Sequence, residues 1–572
     1  METIIVLLII YAVFLYVMIR GAHDEKKRKQ KYRAYLKKLY GSFSETICDT
    51  QELARIESSF NHLINGKTAD GMIDNITWND LNMDSVFARM NYTQSSAGEE
   101  KLYRMLKCPA LSDDGQTKYV MEKHITYMAS NETVRLDALM LLDELGKSGK
   151  YALVDYLDFI KGLGIRSNVK HYLCILLLIG SVASVFVFSY IGVLLLIATA
   201  CINIVTYINE KGVASPYITA FSYIMRMLVC ADAIAELGLG AEFEDYTNTL
   251  KKNREQFKSF EKNSGMVLKL NASTGSAGGI LFDYVKMLTH IDLIQFHKLL
   301  GVIMRHEKDI YEIADSIGYL DAVISIAYFR AALPYYCVPS LANGKSHMLV
   351  VEDGFHPCIE NPVANSIRQS RGMLVTGSNA SGKSTFLKTV AINAILAQSI
   401  NTCCARLYNG NYYRVYSSMS LRDSLESGES YYMVEIKAIK RIVDAALFDS
   451  PNPLLCFVDE VLRGTNTVER IAASVQILKR LSQKGVYCFA ATHDTELTHL
   501  LDKVYDNCHF EEEVRDGDVL FSYRLLKGRA HTRNAIRLLE IIGFSEDIIK
   551  KADAMAGCFL RTGEWSVKDG VL

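Results

Sequence analysis

The stretch MLVTGSNASGKS, residues 373–384, decides the fold of this chain. Its second part, 377–384, fits the pattern G-x4-G-K-[S/T]. In this pattern glycines let the backbone close around a phosphate, and several N–H groups face the anion at a helix N-terminus. The apolar residues that follow recur at helical spacing and define one buried face. The sequence therefore predicts a strand, a phosphate-binding loop and a helix. In such a loop Lys383 neutralises the β- and γ-phosphates, and Ser384 ligates Mg2+.

Two later apolar runs end in polar residues that suit the same chemistry. LLCFVDE (454–460) ends in an acidic pair, in which Asp459 would hold the metal through water and Glu460 would orient or deprotonate the attacking water. VYCFAATHD (486–494) places His493 where a γ-phosphate sensor is expected. A solvated strand end and a structural histidine are the plainer interpretations of these residues. Short apolar strands that alternate with helices predict an α/β domain with a largely parallel sheet covered on both faces.

The composition restricts the class of protein. The chain has 572 residues, 63 basic and 64 acidic, so a uniformly basic nucleic-acid binder is excluded and any polyanion contact must use a local patch. The content of 22% charged and 10% aromatic residues excludes a disordered chain, and the low number of 8 prolines favours long helices. The 13 cysteines include no CxxC pair. They are expected to be reduced thiols, and no zinc site is predicted.

Two apolar segments indicate membrane anchoring. Residues 3–19 carry no charge, and nine Lys/Arg against two acids follow between 20 and 38. This order is typical of an uncleaved anchor with the N-terminus outside and the basic flank in the cytoplasm. Residues 172–208 contain no charge and no histidine, and their length fits two crossings that turn near 189–192. The prediction is a multi-pass protein of the cell membrane with three spans and a cytoplasmic ATPase domain. Buried helices in a soluble core are the alternative.

Four motifs together resemble the ATPase domain of the MutS family, a relative of the ABC ATPases. They occur in the family's order, as TGSNASGKSTFLKTVAINAILAQS (376–399), SGESYYMVE (427–435), FVDEVLRGTNT (457–467) and ATHDTEL (491–497). The tail 523–552 is similar to the family's C-terminal helix-turn-helix. A weaker likeness covers 81–114, which looks like the start of the family's helical lever domain. No mismatch-reading domain with its Phe-x-Glu wedge is recognisable.

The resemblance implies ATP and Mg2+ as ligands and a homodimer with composite sites. The nucleotide would contact the phosphate loop of one subunit, the signature loop of its partner, and an adenine-stacking tyrosine. These positions map onto Gly377, Ser378, Asn379, Ala380, Ser381, Gly382, Lys383, Ser384 and Thr385, onto Ser427, Gly428 and Ser430, and onto Tyr523. The loop 463–466 would pass the state of one subunit to the other. Glu429 departs from the family, which usually carries arginine there, and this reverses a charge near the partner's nucleotide.

The predicted architecture is a C-terminal P-loop (ABC-type) ATPase domain preceded by a long all-α lever-like domain and transmembrane helices. The predicted segments are an anchor (1–20), a basic helical segment (21–80), a first lever part (81–170), a transmembrane hairpin (171–209), a second lever part (210–345), the ATPase domain (346–530) and a dimerisation segment (531–572). The predicted function is a membrane-anchored MutS-like ATPase whose cycle moves lever helices, with DNA binding and mismatch repair implied by the family. The alternatives are an ABC-like transport half and a DNA-independent membrane remodelling or signalling ATPase.

Overall fold

Two units divide the chain, and neither is continuous in sequence. The helical unit comprises Met1–Lys67, Met90–Arg104 and Tyr119–Ala332, and the sheet unit comprises Thr68–Arg89, Met105–Lys118 and Leu333–Leu572. The structure is a computed structural model. It describes residues 2–44, 49–64, 70–113, 115–164, 166–214, 217–257, 284–344, 348–378, 381–419, 431–462, 465–515, 518–530, 536, 539 and 542–562.

Long helices dominate the N-terminal region, as the scarcity of proline predicts. The helices of the described residues are α1 (Glu2–Leu39), α2 (Thr50–Leu63), α3 (Asn75–Asp80), α4 (Met83–Met90), α5 (Ser96–Lys107), α6 (Thr117–Ser130), α7 (Glu132–Leu145), α8 (Leu153–Leu163), α9 (Val169–Ala214), α10 (Ile218–Glu236), α11 (Glu244–Glu255), α12 (Ile291–Arg305), α13 (Glu307–Ala332), α14 (Lys383–Ser399), α15 (Tyr431–Leu447), α16 (Thr467–Arg480), α17 (Thr495–Leu500) and α18 (Glu546–Thr562). A short 3-10 turn, Ala241–Phe243, precedes α11.

The helical unit is held together where α5 meets α13. Asp321 of α13 is fully buried, and its carboxylate accepts hydrogen bonds from the backbone N–H of Gln94 and of Ser95. A Cβ added to Gly98 would overlap this carboxylate, and one added to Gly318 would overlap the carbonyl of Ala97. The two glycines therefore let the helices approach closely. Burial raises the pKa of Asp321 to about 6, against the lowering effect of its hydrogen bonds.

Helix α9 is a hairpin of two apolar arms. The backbone leaves helical geometry at Phe188 and Ser189, where the sequence predicts the turn. Lys170 Nζ donates to Glu210 Oε1 at 2.8 Å, so the two ends of α9 lie side by side. A Cβ on Gly192 would overlap the backbone of the other arm near Ser184, which shows that the arms touch close to the turn.

One helical segment among the described residues is long and apolar enough to cross a membrane. It is Val169–Gly212, with a mean hydropathy of 2.6. Only 6% of an apolar 18-residue stretch of this segment is buried. The predicted N-terminal anchor lies within α1, but most of its side chains lie outside the described residues. The three-span topology and the cellular location therefore stay predictions.

The sheet unit contains the α/β domain. Its strands are β1 (Ser340–Ala342), β2 (Leu349–Gly354), β3 (Asn365–Gln369), β4 (Gly372–Thr376), β5 (Leu407–Asn411), β6 (Arg414–Ser418), β7 (Leu454–Asp459), β8 (Val486–Ala491), β9 (Tyr505–His509), β10 (Glu512–Arg515), β11 (Asp518–Phe521) and β12 (Leu526–Lys527). The largest sheet has the order β12-β9-β4-β8-β7-β6, and all its pairs are parallel except β12 with β9. The strands predicted at 373–376, 454–458 and 486–491 are confirmed as β4, β7 and β8.

Two N-terminal segments belong to the sheet unit, which the predicted domain boundaries do not anticipate. Asp80 accepts hydrogen bonds from Ser417 Oγ at 2.7 Å and from the backbone N–H of Met419 at 2.9 Å, so α3 is attached to the end of β6. The N–H of Ile73 donates to the carbonyl of Lys107. The contacts of Asp80 join residues more than 300 positions apart in sequence, and no local pattern signals them.

The twelve described cysteines form no disulfide in this structure. Cys403 and Cys404 are fully buried, and burial raises the pKa of both thiols. The predicted dimerisation segment is described mainly through α18, and most of 531–541 lies outside the described residues.

We expect Gly98→Ala to destabilise the helical unit by about 1–3 kcal/mol, because the added methyl group must displace the buried Asp321 carboxylate. The matched control is Gly162→Ala in α8, where a Cβ meets nothing within 4 Å. That change should be neutral or stabilising by up to about 1 kcal/mol. Thermal unfolding of the three proteins in one detergent measures both effects. Unfolding of Gly98→Ala at the parental temperature would contradict the proposed packing.

Candidate active site at the carboxyl edge of the parallel sheet

The register of three parallel strands places the candidate site residues. Val375 of β4 pairs with Ala491 of β8, which pairs with Asp459 of β7, so these three residues form one row across the sheet. Parallel strands end at the same edge. The residues that follow this row, including Gly377 and Glu460, are therefore brought together at the carboxyl edge of the sheet.

The loop after β4 has the backbone that a phosphate cradle requires. Gly377 has φ +146° and Gly382 has φ +103°, conformations that residues with a Cβ rarely adopt. The ammonium group of Lys383 folds back over the loop and donates to the carbonyls of Gly377 (2.8 Å) and Ser378 (2.7 Å). Residues 379 and 380 lie outside the described residues. The described part of the loop thus supplies a cation and glycine-dependent turns at the N-terminus of α14.

The first residues of α14 meet the end of β7. Ser384 Oγ donates to Asp459 Oδ2 at 2.5 Å, which joins the hydroxyl and carboxylate that would hold Mg2+. Ser381 Oγ is buried and has no hydrogen-bond partner among the described residues. An unpaired buried hydroxyl is costly unless a ligand satisfies it. The donor set and the orphaned hydroxyl fit a magnesium-bound triphosphate.

Glu460 and His493 face each other beside the lysine. His493 Nε2 lies 2.9 Å from Glu460 Oε1 and 3.3 Å from Lys383 Nζ. The backbone of Glu460 is left-handed, with φ +59°, and its N–H donates to the carbonyl of Ala491. A non-glycine residue in this conformation stores strain of about 1–3 kcal/mol, a feature that clusters at functional sites. The strained turn directs the Glu460 carboxylate towards the loop.

These groups line a cavity of about 530 Å³, within the range of small-molecule sites. The sequence-predicted residues on its wall are Ser378, Ser381, Gly382, Lys383, Ser384, Thr385, Asp459, Glu460, His493 and Tyr523. An apolar part of the wall comes from Ile359, Pro362 and Val363, which suits a planar base. His356 also lines the cavity. Its pKa is lowered to about 4, chiefly by burial and also by Lys388, so the ring is neutral at pH 7.

Tyr523, the predicted adenine-stacking residue, is fixed by its backbone. Its carbonyl accepts from Asn365 Nδ2 at 3.0 Å, and the N–H of Leu525 donates to Asn365 Oδ1 at 2.8 Å. The ring stacks on Phe521, with centroids 5.9 Å apart, and is 45% exposed. A Cβ on Gly382 would lie 3.1 Å from this ring, so tyrosine and phosphate loop are neighbours.

Two carboxylates that the sequence analysis did not single out also support the site. Arg470 of α16 donates through Nε and Nη2 to both oxygens of Asp494, at 3.0 and 2.7 Å, and this partner raises the pKa of Arg470. Asp494 directly follows His493, so the ion pair fixes the turn that carries the histidine. Glu512 accepts from Ser378 Oγ at 2.9 Å. In the sequence, only the position of Asp494 next to His493 indicates a role for the Arg470–Asp494 pair. No local pattern indicates a role for Glu512.

The predicted signature loop, with Ser427, Gly428, Glu429 and Ser430, lies outside the described residues. So do residues 463 and 464 of the predicted communication loop. Of that loop, Asn466 is described, and its side chain caps α16 by accepting from the N–H of Val468 at 2.9 Å. The assignment of a partner-facing role to these positions stays a prediction.

Comparison with known proteins identifies one family and several curated relatives. The family described as MutS domain V matches residues 373–559. MutS protein homolog 4 of Homo sapiens is 29% identical over 289 residues, which cover 47% of this chain and 30% of that protein. DNA mismatch repair protein MutS of Thermotoga maritima is 29% identical (45% and 33% covered), and that of Pseudothermotoga lettingae is 32% identical (43% and 33% covered). The chain thus matches about a third of the length of these curated relatives.

Proposed function

Because the chain belongs to the MutS family through its C-terminal domain, we propose that it binds ATP with Mg2+ in the cavity at the carboxyl edge of the sheet and hydrolyses it. The observation that carries this proposal is the meeting of a lysine, a serine–aspartate pair and a glutamate–histidine pair at the ends of adjacent strands. These are the group types that phosphoryl transfer to water requires.

Each residue has a task that follows from its contacts. Lys383 exchanges its two carbonyl partners for β- and γ-phosphate oxygens, whose charge it neutralises. Ser384 and Asp459 hold the magnesium ion, which offsets phosphate charge when bound. Glu460 accepts a hydrogen bond from the attacking water and takes its proton. His493, between Lys383 and Glu460, donates to the γ-phosphate, which anchors the end of the triphosphate against the base.

Two copies complete one site in this proposal. The resemblance assigns Ser427, Gly428 and Ser430 to the γ-phosphate of the partner's nucleotide, so neither copy alone encloses the transition state. Glu429 brings a negative charge to that interface where the family usually has a positive one. Hydrolysis is then coupled to closure of the dimer, which moves the lever helices.

The hairpin α9 supports a membrane location. The uncharged stretch 172–208, divided at the turn, gives each arm an apolar length of about 18 residues, or roughly 27 Å, close to the hydrocarbon thickness of a bilayer. Its side chains are largely exposed, for example Leu176 (65%), Phe186 (86%) and Leu194 (67%). So large a continuous apolar surface is unfavourable in water and marks a membrane or protein contact. We propose that the hairpin enters the bilayer and that the sheet unit works at its cytoplasmic face.

DNA is the second partner to test, because two of the relatives carry the name DNA mismatch repair protein. The near-neutral net charge does not favour a broad electrostatic contact. The alternative is that the same site hydrolyses ATP in a membrane-anchored protein that does not bind DNA. Measurement of ATP hydrolysis with and without duplex DNA, at low and moderate salt, separates the two.

We expect Glu460→Gln to retain ATP binding and to lower the rate constant of hydrolysis by about 100-fold or more, because the amide cannot take a proton from water. Lys383→Ala should lose ATP binding itself. The matched control is Glu469→Gln on the neighbouring helix α16. Binding is measured with a fluorescent ATP analogue and turnover by phosphate release. Parental turnover by Glu460→Gln would refute the assignment of the base.

Arg470 is a positioning residue, and its removal should lower kcat by about 10- to 100-fold with little change in KM, because it acts on the turn that carries His493. Arg470→Lys keeps the charge but loses the bidentate contact with Asp494, so its kcat should lie between that of the parent and that of the variant without Arg470. Arg480→Ala, an exposed change on the same helix, is the control. Steady-state kinetics decide the matter, and a rise in KM without a fall in kcat would disprove the positioning role.

We expect a chain that starts at residue 21 to stay in the membrane fraction after carbonate washing, since the hairpin alone holds it there. Leu176→Arg, Leu194→Arg and Ile197→Arg together should release it, because each charge costs about 2.5–3.5 kcal/mol at the bilayer centre. The control has the same number of arginines at exposed apolar positions elsewhere, Tyr119, Leu447 and Leu500. Release of the unmodified short chain would rule out insertion of the hairpin.

A further inference from the structure

Two histidines and a glutamate meet at the base of the hairpin α9. His171 lies in the first turn of the hairpin, Glu210 near its end, and His297 on α12. One nitrogen of each histidine and one carboxylate oxygen all lie within 4.8 Å of one another. His171 is 1% and His297 7% exposed, so the histidines are nearly removed from water.

The hydrogen bonds around His171 determine which ring nitrogen carries its proton. His290 Nε2 lies 2.9 Å from the carbonyl oxygen of Asn203, which can only accept, so that nitrogen is the donor. The other nitrogen of a neutral His290 then has a lone pair, and it lies 2.9 Å from His171 Nδ1. His171 Nδ1 must therefore donate, and the lone pair of His171 is left on Nε2.

A second chain of hydrogen bonds gives the same result for His297. The side-chain amide nitrogen of Asn168 donates to the carbonyl of Ile294 at 3.2 Å, which fixes the orientation of that amide. Its oxygen therefore faces His297 Nδ1, 3.1 Å away, and accepts the proton of that ring. Nε2 of His297 is left with a lone pair. Among the described residues neither this Nε2 nor that of His171 has a hydrogen-bond partner.

We propose that His171, His297 and Glu210 bind a divalent first-row transition metal ion such as Zn2+. Two neutral imidazoles and a carboxylate are ligands that such ions prefer, and three protein ligands leave one position open. Asn168 and His290 act as the outer hydrogen-bond partners that orient metal-binding histidines in known sites. Lys170, which pairs with Glu210 at 2.8 Å, is 60% exposed at its side chain and can turn into water when the ion takes over the carboxylate.

This site is independent of ATP hydrolysis, and its ligands come from three helical segments. An ion bound there ties both arms of the hairpin to α12, and so fixes the point at which the apolar arms leave the helical unit. The expectation of no zinc site rests on the absence of a CxxC pair, and it does not cover histidine and carboxylate ligands that are far apart in sequence.

The test uses the full chain without a histidine tag, purified in detergent and freed of metal with a chelator. We expect it to bind one equivalent of Zn2+, and to show the visible absorption bands of low-symmetry Co2+ when Co2+ is supplied instead. His297→Gln should weaken binding by more than about 100-fold and remove the Co2+ bands. Asn168→Ala should weaken it by about 10- to 100-fold. Lys170→Ala, the control at the same place, should bind at least as tightly as the parent.

Folding of each variant is checked by helix content and gel filtration. If His297→Gln does not fold, Asn168→Ala still tests the site, because it keeps all three proposed ligands. Binding of Zn2+ by the parent no tighter than by His297→Gln would overturn the proposal. So would equal loss of binding in Lys170→Ala, because an exposed lysine is no ligand.

Discussion

The in-register parallel pairing of β4, β8 and β7 is the constraint on which the candidate site depends. It puts Val375, Ala491 and Asp459 in one row across the sheet. Just past that row, the N–H of Thr492 donates to the carbonyl of Val375 and the N–H of Glu460 donates to the carbonyl of Ala491. Because the side-chain period of a strand is two, a slip of one residue would bury Asp459 on the wrong face. All residues of β4, β7 and β8 are buried, so the packing of their side chains fixes the register of the three strands.

The same constraint explains why strain appears at Glu460. The strand β7 ends in the row, and the next residue must turn at once to bring its carboxylate beside His493. The left-handed backbone is held by the hydrogen bond from its N–H to Ala491. A rigid sheet edge thus carries a charged cluster, with Lys383 and the carboxylates of Asp459 and Glu460 offsetting one another.

Local patterns in the sequence predicted the parts of the fold that are local in origin. The phosphate loop, the strands β4, β7 and β8, and the hairpin turn each follow from residue types that are close together along the chain. The Arg470–Asp494 pair, the attachment of Asp80 to Ser417 and the bonds from Asn365 that fix Tyr523 do not, because they join distant segments and use common polar residues. The division into two discontinuous units has the same cause, since it depends on which side chains meet after folding.

The most direct test of the central claim is a structure of the chain with Mg2+ and a non-hydrolysable ATP analogue. The account predicts that Lys383 Nζ leaves the carbonyls of Gly377 and Ser378 and contacts the phosphates. The metal should lie on Ser384 beside Asp459, and His493 should face the terminal phosphate. A nucleotide bound elsewhere, or one bound here while Lys383 keeps both carbonyl partners, would contradict the account.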